Sequence, residues 1–112
     1  MMSNEVRVVF CTFPDSETAH RTARDAVEQQ YAACASLVAS IKSIYRWRGQ
    51  VEQADETLVL FKTSAARYPD LEAFLVRSHP YEVPEIIALP LSAGSATYLR
   101  WVIDNSRPTV SS

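Results

Sequence analysis

Residues 36–63 read SLVASIKSIYRWRGQVEQADETLVLFKT, and the fold turns on this stretch. Ser36–Trp47 carries Val38, Ile41, Ile44, Tyr45 and Trp47, the β-branched and aromatic types that fit a pleated strand. Arg48-Gly49-Gln50 supplies the turn, where Gly49 can take positive φ because it has no Cβ to clash. Val51–Thr63 returns and closes on the apolar run Leu58-Val59-Leu60-Phe61. The two segments form one long hairpin. Strands of 12 and 13 residues would span about 40 Å at ~3.3 Å per residue. A domain of this length has a radius of gyration of only ~13 Å. The hairpin is therefore expected to overhang its own core or to bend sharply. An overhang carrying Tyr45, Trp47 and Val51 exposes apolar surface and strand edges that need a partner, so oligomerisation through the hairpin is expected.

Outward from the hairpin the elements alternate in type. Glu5–Cys11 reads as a first strand, rich in Val and Phe, and Pro14 and Asp15 punctuate the chain after it. Asp15 or Ser16 can cap a helix by accepting an orphan backbone N–H. From Glu17 to Tyr31, Ala19, Ala23, Ala26, Val27 and Tyr31 recur at helical spacing and make a narrow, small-residue face suited to lying close on a sheet. Pro69 opens a second helix through Val76, with Leu71, Phe74 and Leu75 as its apolar face. Pro80 and Pro84 forbid a helix between them, Glu85–Leu91 reads as a fourth strand, and Thr97–Asn105 as a third helix. The order βαββαβ followed by a helix predicts an α+β, ferredoxin-like sandwich with its helices on one face of an antiparallel sheet. Residues 1–112 are read as a single domain, with 106–112 as a frayed polar tail.

Composition narrows the function. Eleven basic and 13 acidic residues give a net charge of -2, which disfavours a dedicated nucleic-acid binder because many phosphates would need neutralising. Trp47 between Arg46 and Arg48 could stack on a base, but Trp, Tyr and Arg also dominate oligomer contacts. With only two glycines, Gly49 and Gly94, no glycine-rich phosphate cradle exists. No apolar stretch approaches the ~20 residues that span a bilayer. The first residues lack the basic region and apolar run of a secretion signal, so the expected compartment is the cytoplasm, with thiols reduced.

Few residues can carry chemistry. Cys11 and Cys34 are either soft metal ligands or small buried hydrophobes. The segment Ser78-His79-Pro80-Tyr81-Glu82-Val83-Pro84-Glu85 holds an imidazole, a phenol and two carboxylates on a loop stiffened by prolines. His79 can instead end the second helix as a cation matched to the macrodipole. Within one subunit, the topology places His79 nearer Cys11 than Cys34. Lys62, at the end of the third strand, is an edge guard or a cation facing a ligand. Glu52, Asp55 and Glu56 read as a solvated strand face, and no nucleophile with an activating base can be assembled. The chain is therefore read as a binding protein and not as an enzyme.

Cys11-Thr12, the run Tyr31–Ala35, Ser43-Ile44-Tyr45-Arg46-Trp47-Arg48-Gly49, Phe61-Lys62-Thr63, His79-Pro80-Tyr81-Glu82-Val83-Pro84-Glu85 and Tyr98-Leu99-Arg100-Trp101 together resemble the CutA family of divalent-ion tolerance proteins. The resemblance runs from about Val8 to Asp104. It implies a trimer assembled like the PII signalling proteins, with hairpin strands pairing between subunits, and a role in tolerance of divalent metals, notably copper. The motif cysteines fall on Cys11 and Cys34 and the motif histidine on His79, which makes these three the implied metal ligands. Lys62, Tyr81, Glu82 and Trp47 match positions of a pocket between subunits in the family. Ser78 stands where some relatives have a second histidine, and Ala54 interrupts the carboxylates after the turn. The alternative is a PII-like trimeric sensor that binds a small anionic ligand between subunits.

Overall fold

Asp15 starts the first helix: its carboxylate accepts the Thr18 N–H at 2.7 Å, satisfying one of the donors a helix start leaves free. The structure, a computed structural model, describes residues 2–108. A 3-10 turn at Met2–Glu5 precedes strand β1 (Val6–Phe13), helix α1 (Ser16–Glu28), strands β2 (Cys34–Trp47) and β3 (Gln50–Ser64), helix α2 (Tyr68–Ser78), strand β4 (Ile86–Pro90) and helix α3 (Ala96–Asn105). The four strands lie in the order β2-β3-β1-β4, and every neighbouring pair is antiparallel. This is the expected ferredoxin-like α+β arrangement, with β2 and β4 at the edges.

β1 runs two residues beyond its expected end. Thr12 and Phe13 still pair with Leu58 and Thr57, and burial of Phe13 holds them before Pro14 stops the strand. α1 ends three residues early. Gln30 takes a φ of +60°, and Arg67 closes the end by donating to the carbonyls of Gln29 and Gln30 at 3.2 and 3.0 Å, the cation meeting the negative end of the helix.

Val9, Cys11 and Phe13 of β1 and Val59 and Phe61 of β3 face α1 and α2, packing on Ala19, Ala23, Ala26, Leu71, Phe74 and Leu75. The alanines let α1 lie close to the sheet, as its narrow face predicted. The third helix departs from the one-faced expectation. Leu99 and Val102 pack on Val6 and Ala33. Val6 is an odd number of residues from Val9, so α3 covers one end of the opposite face. Ser106, expected in a frayed tail, is buried there: its hydroxyl donates to the Val102 carbonyl at 2.7 Å and accepts the Ser64 N–H at 3.1 Å. The remainder of that tail, from residue 109, lies outside the described residues.

The rest of the second face is open. Val38, Ile87 and Leu89 are exposed on it, beside half-buried Val8, Phe10, Leu58 and Leu60. The hairpin overhangs as its length predicted: β1 pairs with β3 only from Thr57 to Ser64. Residues 50–56 of β3, about 23 Å of strand, therefore pair with β2 alone. Arg48 and Gly49 both take positive φ, 50° and 79°, the backbone of a tight hairpin turn. Opposite Thr57 the pairing skips between Val38 and Ile41, and Ser40 sits at a φ of 62°. This bulge changes which side chains of β2 share a face. Tyr45 and Trp47, paired with Glu52 and Gln50, project on the same side as Val38 and Leu58.

Candidate functional site

Cys34 begins β2 directly across from Lys62, so both side chains stand on the open face. The Cys34 thiol and the Tyr98 phenol share a hydrogen bond at 3.4 Å. That bond, together with burial, pushes Tyr98 up to about 12, and its ring stacks on Trp101 with centroids 5.7 Å apart. Lys62 Nζ donates to Ser36 Oγ at 2.9 Å. The thiol is half-exposed, held by α3 on one side and the start of β2 on the other.

Cys11 has the opposite environment. It pairs with Val59 on the helix face and is fully buried. Burial, with Glu85 and Glu56 adding to it, raises its thiol to about 12, so it stays a neutral thiol at physiological pH. Cys11 therefore fills the core as a small hydrophobe.

His79 ends α2, its backbone N–H donating to the Leu75 carbonyl at 3.0 Å. Its ring Nε2 lies 2.7 Å from the Thr12 carbonyl. A carbonyl only accepts, so Nε2 carries the proton. The Tyr81 N–H donates to Nδ1 at 3.1 Å. The two bonds together fix a neutral imidazole protonated at Nε2. Burial lowers its pKa, against the Thr12 carbonyl and Glu56, which act the other way. The expected cation at the helix end is replaced by this neutral ring, stacked 4.6 Å from Phe13. With both nitrogens engaged, His79 has no lone pair free for a metal.

Tyr81 leads from this histidine to the hairpin. Its Oη donates to Glu56 Oε2 at 2.7 Å. Burial and that carboxylate raise the phenol far above its ordinary value. Glu56 is only 7% exposed, which corrects its reading as part of a solvated face. The signal available was its place as the last carboxylate before the apolar run of β3. Glu82, the next residue along the loop, turns instead to the hairpin tip, 3.6 Å from Arg48. Arg48 also lies over the Trp47 ring, 5.4 Å from its centroid.

The chain thus separates the sites that the sequence suggested. Cys11 lies in the core and Cys34 on the far face of the sheet, while His79 spends both nitrogens on backbone. Among the described residues no group of three or more His, Cys, Asp and Glu is gathered to hold a metal ion. Tyr81, Glu82 and Trp47 lie toward the hairpin, whereas Lys62 stands at the other end of the sheet, level with Val8. Tyr98 was not foreseen as a partner of Cys34, because 64 residues separate them and only the placement of α3 joins them. No described helix is long and apolar enough to cross a membrane.

A family model described as CutA1 divalent ion tolerance protein matches residues 7–105. The divalent-cation tolerance protein CutA of Thermus thermophilus is 42% identical over 99 residues, 88% of this chain and 96% of that protein. Protein CutA of Mus musculus is 43% identical over 97 residues, 87% of this chain and 55% of the mouse protein. This chain thus spans about half the length of the mouse and human relatives. Among solved structures, the divalent cation tolerance protein from Thermus thermophilus superposes with a TM-score of 0.89 at 41% identity, covering 91% of this chain and 99% of that one. CutA1 from Oryza sativa gives a TM-score of 0.90 at 33% identity, covering 97% of this chain and 100% of its own.

Proposed function

This chain belongs to the CutA1 divalent ion tolerance family, and we propose that it serves metal-ion tolerance as a cytoplasmic homotrimer that binds copper or a similar soft ion through Cys34. The observation that carries the metal half is the contrast between the two thiols. Cys34 is half-exposed on the open face, while Cys11 is buried as a neutral thiol. Thiolates suit Cu(I) and Zn among soft ions, and a ligand must be reachable before it can lose its proton to a metal. One thiol makes an incomplete site, so the remaining donors come from neighbouring subunits. The open face supports such an assembly: its apolar side chains and the overhanging hairpin form a surface that a lone soluble chain rarely leaves uncovered. The role is one of binding, with no catalytic step.

Calorimetric titration with copper tests this reading. Cys34→Ser is expected to weaken binding at least tenfold, and Cys11→Ser to leave it unchanged. Wild-type affinity in Cys34→Ser would overturn it. Lys62 favours a second reading, the PII-like sensor. Its ammonium stands on the open face and, among the described residues, has only the Ser36 hydroxyl as partner. A small anionic ligand at the subunit junction would then meet Lys62, and Lys62→Ala would abolish its binding while leaving copper binding intact.

A further inference from the structure

The hairpin leaves the sheet at a weak point. β3 parts from β1 after Thr57, and the bulge in β2 with Ser40 at positive φ lies opposite that same residue. Beyond it, residues 41–56 are a two-stranded ribbon, which is marginal in water without further support. Bulges bend and twist a strand, so the direction of the arm is set here.

The loop between α2 and β4 meets the arm beside this point. Tyr81 Oη donates at 2.7 Å to Glu56, the first residue of β3 beyond its pairing with β1. The loop is anchored to the body in turn, since His79 accepts the Tyr81 N–H at 3.1 Å and donates to the Thr12 carbonyl at 2.7 Å. A second contact, Arg48 with Glu82, is 3.6 Å long with both side chains 74% exposed, and exposed pairs of that kind contribute little. We propose that Tyr81 is the brace of the hairpin arm: its phenol on Glu56, backed by His79 on Thr12, fixes the angle at which residues 41–56 leave the sheet. The phenol–carboxylate bond is the contact within one chain that orients the arm against the body. A buried carboxylate that loses its donor is costly, so this bond holds more firmly than the tip contact.

Hydrogen exchange on the full chain tests the brace. Tyr81→Phe removes the hydroxyl and keeps the ring. Backbone amides of residues 41–55 are expected to exchange about tenfold faster in it, the effect of losing one hydrogen bond to a charged acceptor. Amides of β1 from Val9 to Phe13 are expected to keep their rates. Arg48→Gln should change the arm by less than twofold, and Glu56→Gln, which retains an acceptor, should fall between the two. Unchanged arm rates in Tyr81→Phe would overturn the proposal, and so would equal acceleration of the arm and β1. The brace lies within one chain, so its failure is separable from that of the assembly, which light scattering on the same samples reports.

Discussion

Cys11 and Cys34 stand on opposite faces of one sheet. Cys11 pairs with Val59 and Cys34 with Lys62, and three residues along β3, an odd number, put the two side chains on different sides. The thiols should therefore differ sharply in reactivity. A thiol-modifying reagent at pH 8 is expected to label Cys34 at least a hundredfold faster than Cys11, because burial both hides Cys11 and holds its thiol near 12. Peptide mapping after timed labelling checks this. Equal labelling of the two would place Cys11 outside the core.

His79 gives the fold a pH dependence whose sign follows from its lowered pKa. The unfolded chain, with an ordinary imidazole near 6.5, binds a proton more readily than the folded one. The contribution of the neutral ring is therefore complete above about 6.5 and is lost as pH falls through the lower folded value. Protonation would place an N–H at Nδ1 against the Tyr81 N–H. Urea midpoints of wild type and His79→Gln between pH 7.5 and 5 check this, with the wild-type advantage expected to shrink toward acid. An advantage that grows toward acid would mean that the folded state favours the imidazolium, and would overturn the neutral ring.

Arg67 ties the end of α1 to the start of α2. Its guanidinium reaches the Gln29 and Gln30 carbonyls and Asp70 and lies 4.6 Å from the Tyr31 ring centroid, with its side chain only 11% exposed. Arg67→Ala removes all of these at once and is expected to cost about 2–4 kcal/mol in urea unfolding. Arg67→Lys should restore less than half, because an ammonium cannot serve three acceptors in a plane. A loss below about 0.5 kcal/mol would reduce Arg67 to a surface residue.

The elements of this fold were legible because local chemistry and periodicity agree. The capping Asp15, the alanine face of α1, the Pro69 start and the Gly49 turn each signal their element without reference to the rest. The side-chain placements that matter most were not legible, because long-range packing sets them. Nothing near Glu56 in the sequence announces Tyr81, 25 residues away, and nothing near Ser106 announces the end of β3. α3 was placed on the wrong face because its apolar positions fit either side of a sheet. The bulge at Ser40 went unread because the apolar residues around it, Leu37-Val38-Ala39 and Ile44-Tyr45, do not alternate cleanly enough to fix a face, yet it decides which face Tyr45 and Trp47 share.

That bulge makes assembly through the hairpin open to a directional test. Tyr45 and Trp47 project on the side of Val38, Leu58 and the open face, whereas Ile44 and Val51, paired with Gln53 and Arg46, project on the other. Ile44 and Val51 are the more exposed, at 70% and 66% against 43% and 38% for Tyr45 and Trp47. If exposure alone selected the contact, Ile44 and Val51 would matter more. If the open face is the meeting surface of a trimer, the aromatic pair continues it along the arm and supplies the large side chains that dominate such contacts. The double change Tyr45→Ala with Trp47→Ala is then expected to raise the trimer dissociation constant at least ~100-fold, with two anchors lost. Ile44→Ala with Val51→Ala should change it by less than tenfold. Light scattering across a dilution series from 100 to about 1 μM measures both. A larger effect from the Ile44 and Val51 pair would move the interface to the other side of the arm, and a wild-type mass of one chain throughout would remove the trimer itself.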